Sequence, residues 1–509
     1  MTRNQKAQGL GRRDFLKTVA GATAAAALLP QAAGAGAAAS PAENPKPNRM
    51  IGIQAGAVSF FDEGVGPVLD IFQERGAVNT LFLATFTYGR GLAGRQIPGQ
   101  PFPDHGKQES DERTFHGGNY ATPHPAFYAD TILKETRAPE HGEADILQMV
   151  LPEAKKRGMK VFCSCEDVWR SSVPGVNQVT EVDLKDRRAG ATLCLFNPDV
   201  RHFWTALVTD YCKSYDVDGV LFFNERNGPL LNALGASHAQ NIASSRVTCF
   251  CEHHQRAAKE RGIDFERCRE AYVRLDQFVR DSLAGKRPSD GYFVEFWRLL
   301  VEHPEILVWD RLFDEGKHEV LAEVYSAVKA IRPTLQVGFH VEHVNSFNPI
   351  FRATRRYDEL AKKCDFLKVV VYNNCGGERY AHFIDNIGST VFRDVPKVEL
   401  KRFNDHLLNY AGEKDLNDLA AAGLSPDYVF RETRRAIAGV QGRCKVLPGI
   451  DIGIPVGRNS RVASPEDTYA ATAAALRAGA DGLIFSRKYS EMRLANLSAA
   501  GRAVREASL

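Results

Sequence analysis

Cysteine is sparse, apolar runs are short, and neither sign of charge is in excess. Ten cysteines in 509 residues are too few to staple a chain of this length, so stability must come from a packed core and not a disulfide scaffold. Beyond residue 40 no apolar stretch approaches the roughly 20 residues that a spanning helix needs. With 65 basic and 62 acidic side chains the formal charge is +3, which leaves no electrostatic footprint for a nucleic acid. Neither a P-loop nor a Rossmann glycine fingerprint follows an apolar run, and no cofactor is expected. What is present is a chain with 44% apolar and 25% charged positions, enough for a large core.

The first 39 residues differ from the rest. GRRDFLK (11–17) precedes an Ala-rich apolar stretch over 18–29 and then small residues suited to cleavage. This resembles a twin-arginine export signal, and implies a periplasmic or secreted protein with no membrane attachment after cleavage. The segment carries Arg3, Lys6, Arg12, Arg13 and Lys17 against Asp14, so its removal takes the formal charge from +3 to −1. SPAENPKPNR (40–49) reads as a proline-rich linker, and 50–509 as one domain.

From residue 50 the chain alternates short β-branched or aromatic runs with longer amphipathic segments, the pattern of βα units around a parallel sheet. The runs are MIGIQAG (50–56), VNTLFLATF (78–86), KVFCSCED (160–167), GVLFFNE (219–225), LQVGFHVEHV (335–344), FLKVVVYNN (366–374), VLPGIDIGI (446–454) and DGLIFSRKY (481–489). Eight is the closing number of a (β/α)8 TIM barrel. Helical segments over 146–160, 202–219, 320–336 and 468–482 lead into four of these runs, each through a Gly or Pro turn. Two connections are much longer than such units need. One, 87–145, follows the second strand and is rich in glycine, proline, histidine and aromatics; the other, a mainly helical insertion over 227–334, follows the fourth. Both leave the strand ends where barrel enzymes build their sites, so they read as substrate walls, or the second as a supporting helical subdomain.

Side chains of a barrel strand alternate between the interior and the helix layer, so polar residues ending the inward row surround one mouth. In the fifth run Val337, Phe339 and Val341 form the apolar row, which sends Gly338, His340 and Glu342 inward. In the seventh, Ile450, Ile452 and Ile454 leave Gly449, Asp451 and Gly453. The first run sends Gln54 inward. The fourth is apolar on both rows until Asn224 and Glu225, so either of these two can face the mouth. A carboxylate ending a buried strand needs a purpose: Glu225 is expected either to do chemistry or to pair with Arg226 or Lys488. Other strand ends supply Glu166, Asp167, Tyr372, Asn373, Arg487 and Lys488. With Gln54, Asn224 and His340 these form a candidate binding set for a hydroxyl-rich ligand.

A barrel whose fourth strand ends in Asn-Glu is similar to the large clan of retaining glycoside hydrolases. NPDVRHFW, DVDGVLFF, FLKVVVYNN and DGLIFSRKYSEM resemble bacterial glycoside-hydrolase-like barrels over nearly the whole mature chain. The resemblance implies a carbohydrate or glycoside substrate, with Glu225 as the acid that protonates the leaving oxygen. The nucleophile position falls on Asp451, where that clan carries Glu; a second assignment takes Glu342 as the partner carboxylate. Two other classes compete: a metal-dependent sugar isomerase or epimerase with Glu166, His340, Glu342 and Asp451 as ligands, and a non-catalytic carbohydrate-binding barrel. The sugar, the stereochemical course and the oligomeric state are not legible.

One motif stands apart. CFCEHH (249–254) places Cys249, Cys251, His253 and His254 at a spacing that suits zinc or one strained bridge. No second pair accompanies it apart from Cys268.

Overall fold

The computed structural model describes residues 49–111, 113–236 and 247–508; the export signal and nearly all of the linker lie outside them. Eight parallel strands close into a cylinder: β1 (Met50–Gly56), β2 (Thr80–Thr87), β3 (Lys160–Glu166), β4 (Gly219–Phe223), β5 (Gln336–Val341), β6 (Phe366–Val370), β7 (Lys445–Asp451) and β8 (Gly482–Ser486). Each pairs with the next in chain order, and β8 returns to β1 through Met50 opposite Gly482 and Ile53 opposite Phe485. The fold is therefore the (β/α)8 barrel that the eight runs predict. β4 and β5 are shorter than expected, ending at Phe223 and Val341.

Helices α1 (Val65–Gly76), α2 (Ile146–Lys156), α3 (Pro198–Ser214), α4 (Glu305–Ile331), α5 (Asn374–Ile387), α6 (Pro426–Val440), α7 (Pro465–Arg477) and α8 (Leu494–Glu506) belong to the outer layer. The starts of α2, α3, α6 and α7 are written locally. Asp145 accepts from the amides of Leu147 and Gln148, Asn197 from Asp199, and Ser425 from Tyr428. Ser464 and Asp467 form a reciprocal capping box at α7. Such caps satisfy amides that the first helical turn leaves without partners, at about 1 kcal/mol each. Proline begins α3, α6 and α7, where its missing N–H costs nothing.

The barrel interior is a packed plug. Met50, Phe82, Phe162, Leu221, Phe223, Phe366, Leu447 and Ile484 cluster inside, and the rings of Phe82, Phe162 and Phe366 meet with centroids 5.0–5.9 Å apart. Glycines admit these rings. A Cβ on Gly52 would lie 2.4 Å from Phe82, and one on Gly338 would lie 2.0 Å from Phe366. Each fully buried phenyl contributes about 1.5–3 kcal/mol, and the plug gives the residues above it a rigid floor.

The connections at the strand ends are elaborate. After β2, Gly118–Asn119 adds a short antiparallel strand to the end of β2. A hairpin of Thr180–Val182 and Arg188–Leu193, not anticipated from the sequence, follows β3. After β4 come helices Pro229–Leu234, Glu252–Glu260, Phe265–Leu283 and Tyr292–Glu302. The helix expected over 320–336 is the C-terminal part of the 27-residue α4.

Candidate active site

Alternation along β4 decides what the end of that strand does. Leu221 and Phe223 belong to the interior plug, whereas Val220 and Phe222 pack outward, Phe222 against Trp204 of α3. Glu225 continues the inward row. Its side chain is 54% exposed at the mouth, and its Oε1 lies 2.6 Å from Nε2 of His340, the last inward residue of β5. Burial lowers the His340 pKa, opposed by the contact with Glu225, and its Nε2 stands within hydrogen-bond distance of the carboxylate. His340 also lies against Phe223, with ring centroids 4.8 Å apart, which holds the imidazole in place.

Around this pair the inward rows of the neighbouring strands supply further polar groups. Glu166 ends β3 half-buried and accepts a hydrogen bond from the Thr87 hydroxyl of β2. Burial raises its pKa to about 7, opposed by Thr87 and assisted by the nearby Glu225. A Cβ at Gly89 would come within 2.8 Å of Glu166 Oε2, so glycine keeps that carboxyl uncovered. On β6 Lys368 is buried, its ammonium donating to Gln54 Oε1 and, at 3.0 Å, to the Tyr372 hydroxyl. Desolvation lowers its pKa to about 7 against the pull of Glu225 and Glu166. Gly449 on β7 makes room for it, because a Cβ there would sit 3.0 Å from Lys368 Cε. Ser486 donates to Gln54 Oε1 at 2.8 Å, and Arg487, ion-paired with Glu491, lies close enough to influence Glu166 and Lys368.

The mouth thus gathers Gln54, Glu166, Glu225, His340, Tyr372 and Arg487 of the expected set. Lys368 and Ser486 were missed. A signal for Lys368 existed: in FLKVVVYNN it shares a row with Phe366 and Tyr372, and a lysine in mid-strand of a closed barrel has no solvent-facing side to occupy.

The other expected residues do different work. Glu342 is not at the mouth: the chain leaves β5 at Val341, and the carboxylate turns to α4, where it ion-pairs with Lys317 in a buried contact. Asp451 keeps its inward place but is fully buried and occupied by backbone. Oδ1 accepts from the amides of Gly453 and Ile454 and Oδ2 from that of Cys375, at 3.0–3.1 Å. It shapes the turn after β7 and ties it to the start of α5. Asn224 and Asp167 lie on the outer side of the wall. Asp167 pairs with Arg226 at 2.7 Å and also accepts from Asn224 Nδ2 and Trp169 Nε1, each at 3.0 Å. Lys488 is buried and donates to the carbonyls of Arg90 and Arg95, anchoring the loop after β2. Asn373 precedes α5, and its carbonyl accepts from the Leu424 amide. Arg226 and Lys488, the two cations expected to pair with Glu225, are therefore committed elsewhere. The four ligands of the isomerase reading do not assemble, since Glu342 and Asp451 are engaged as described.

No protein-family model matches the chain, and no curated protein does. Among solved structures it is similar to the PgaB glycoside hydrolase domain from Bordetella bronchiseptica, with 11% identity and a TM-score of 0.47 over 91% of this chain and 99% of that one. A β-galactosidase from Marinomonas ef1 matches at 10% identity and a TM-score of 0.48, over 90% of this chain but only 59% of its own. The catalytic domain of β-amylase from Paenibacillus polymyxa matches at 9% identity and a TM-score of 0.45, over 90% and 98%. The fold resembles those of glycoside hydrolase barrels, a likeness of architecture that carries no residue role.

Proposed function

We propose that the protein is a glycoside hydrolase whose working carboxyls are Glu225 and Glu166. One observation carries the reading: carboxyls at the ends of the adjacent strands β3 and β4 face one mouth in contrasting surroundings. Glu166 is desolvated, with its pKa raised to about 7, so near neutrality much of it holds the proton that a departing glycosidic oxygen requires. Glu225 is half-exposed and receives the His340 hydrogen bond, which suits a group that attacks the anomeric carbon or activates a water. Two carboxyls driven apart in proton affinity are the shared requirement of glycoside hydrolysis. This exchanges the role implied for Glu225 by the family resemblance, and it replaces Asp451 and Glu342 as partner. Buried Lys368 lies beneath the pair as a counter-charge, while Tyr372 and Arg487 offer an aromatic face and a guanidinium to a sugar.

The test is turnover on a panel of aryl glycosides and oligosaccharides, with Glu225→Gln as control. Hydrolysis of a panel member that the variant loses supports the reading. Turnover unchanged in the variant removes Glu225 from the mechanism, and sugar binding with no hydrolysis of any panel member favours a non-catalytic barrel.

We also propose export to the periplasm or beyond, on the strength of the GRRDFLK segment and the apolar stretch after it. Replacing both Arg12 and Arg13 by Lys is expected to retain the protein in the cytoplasmic fraction. Unaltered export of that variant would refute this assignment.

A further inference from the structure

Away from the mouth, the hairpin after β3 and the insertion after β4 are held together by a compact group of soft ligands. Cys194 leaves the second hairpin strand, Cys249 and Cys251 precede the helix Glu252–Glu260, and His254 lies in its first turn. All four side chains are buried, and their ligand atoms lie within 4.8 Å of one another. Cys194 Sγ is 3.4 Å from Cys251 Sγ and 3.3 Å from His254 Nδ1, and Cys251 Sγ is 3.6 Å from the same nitrogen.

We infer that Cys194, Cys249, Cys251 and His254 form a structural zinc site. Tetrahedral zinc has metal–sulfur bonds of about 2.3 Å and a metal–nitrogen bond of about 2.0–2.1 Å, so its ligand atoms stand about 3.5–3.8 Å apart. The observed spacings approach that edge length, whereas a disulfide brings two sulfurs to about 2.05 Å. Three thiols and an imidazole Nδ1 converge on one point, and thiols are weak hydrogen-bond partners for one another; a divalent cation is the ligand that uses all four. The surroundings suit a closed site. His254 is packed edge-on to Phe196 at 4.8 Å and stacked with Phe313 at 6.1 Å, so the metal would have no open position for a substrate. The Val182 amide donates to Cys249 Sγ at 3.4 Å, a contact that favours a metal-bound thiolate.

Neighbouring residues of the motif define its limits. His253 turns away to Asn197, with Nε2 3.1 Å from Nδ2. Cys268 is buried in the helix Phe265–Leu283 and is not part of the group. The fourth ligand is Cys194, which lies 57 residues before Cys251. The site would also brace the end of β4. Thr248, beside Cys249, donates to Glu181 at 2.6 Å, and Glu181 lies 4.0 Å from Arg226, the residue after Glu225.

The deciding measurement is the metal content of the full-length chain purified without chelator, from cells grown with zinc or with cobalt. The expected result is about one zinc per chain and, for cobalt, the sulfur-to-metal charge-transfer band and strong visible absorption of a tetrahedral thiolate site. Cys194→Ser and His254→Ala should lose the metal, and His253→Ala and Cys268→Ser should keep it. Because the wild-type readings come first, the inference stays testable even if Cys194→Ser fails to fold. Absence of metal that added zinc does not restore, a Cys194–Cys251 disulfide in the purified chain, or full occupancy in the His254→Ala variant would each overturn it.

Discussion

Glu225 and its two sequence neighbours sit on one short peptide and face opposite sides of the barrel wall. Outside, Asn224 and Arg226 close on Asp167 in a buried network with Trp169. Inside, Glu225 reaches a half-exposed mouth with His340 as a partner. In the outer network the Asp167 carboxylate is held by three fixed donors, which tie down the strand end. The inner side chain is 54% exposed, and that access separates a group able to meet a substrate from one that can only support the fold. A charge matters chemically where it can change partners, and structurally where it cannot.

Three substitutions test this contrast. Glu225→Gln should cost most in rate: kcat on a good substrate should fall roughly 100- to 10,000-fold, while the melting transition stays within about 0.5 kcal/mol of wild type because the site is partly exposed. Asp167→Ala should do the reverse. It leaves the buried Arg226 guanidinium with only the more distant Glu181 carboxylate and should lower stability by about 3 kcal/mol, read by denaturant unfolding, with activity per folded molecule falling far less than in the Glu225 variant. Equal loss of stability in the two variants would erase the distinction between the faces.

The smallest expected effect is the pH response of Glu166. As a general acid with its pKa raised to about 7, it works in the protonated form, so kcat should decline as pH rises through about 7. Glu166→Gln should remove that alkaline limb and leave a low, flat profile. The same shift bears on stability. Because the folded value lies above the ordinary 4.5, the contribution is full below about pH 4.5 and is lost as pH climbs towards and through 7. A limb near pH 7 that persists in the variant would assign it to another group, Lys368 being the first candidate.

Strand alternation placed Gln54 and His340 correctly, and it failed in instructive ways. It sent Glu342 to the mouth, but alternation holds only while the chain stays extended. Past Val341 the backbone turns, and the Asn345 amide already bonds to the Glu342 carbonyl. Asp451 does keep the inward direction, yet a short carboxylate next to a turn is within reach of amides two and three residues on, and Gly453 and Ile454 take it. For β4 both rows are apolar, so no pattern could choose between Asn224 and Glu225. Asp167 chose, by binding Asn224 and Arg226 together from the outside.

The amino-acid sequence by itself determined the eight strands and hence the closed barrel, because apolar periodicity and turns are encoded within a few residues of where they act. Only the tertiary structure decided which carboxyls share the mouth, that Lys368 lies beneath them, and that Cys194 completes the thiol and imidazole cluster. Those are meetings of side chains far apart along the chain, and each depends on where the backbone stops being a strand and which neighbour reaches the polar group first.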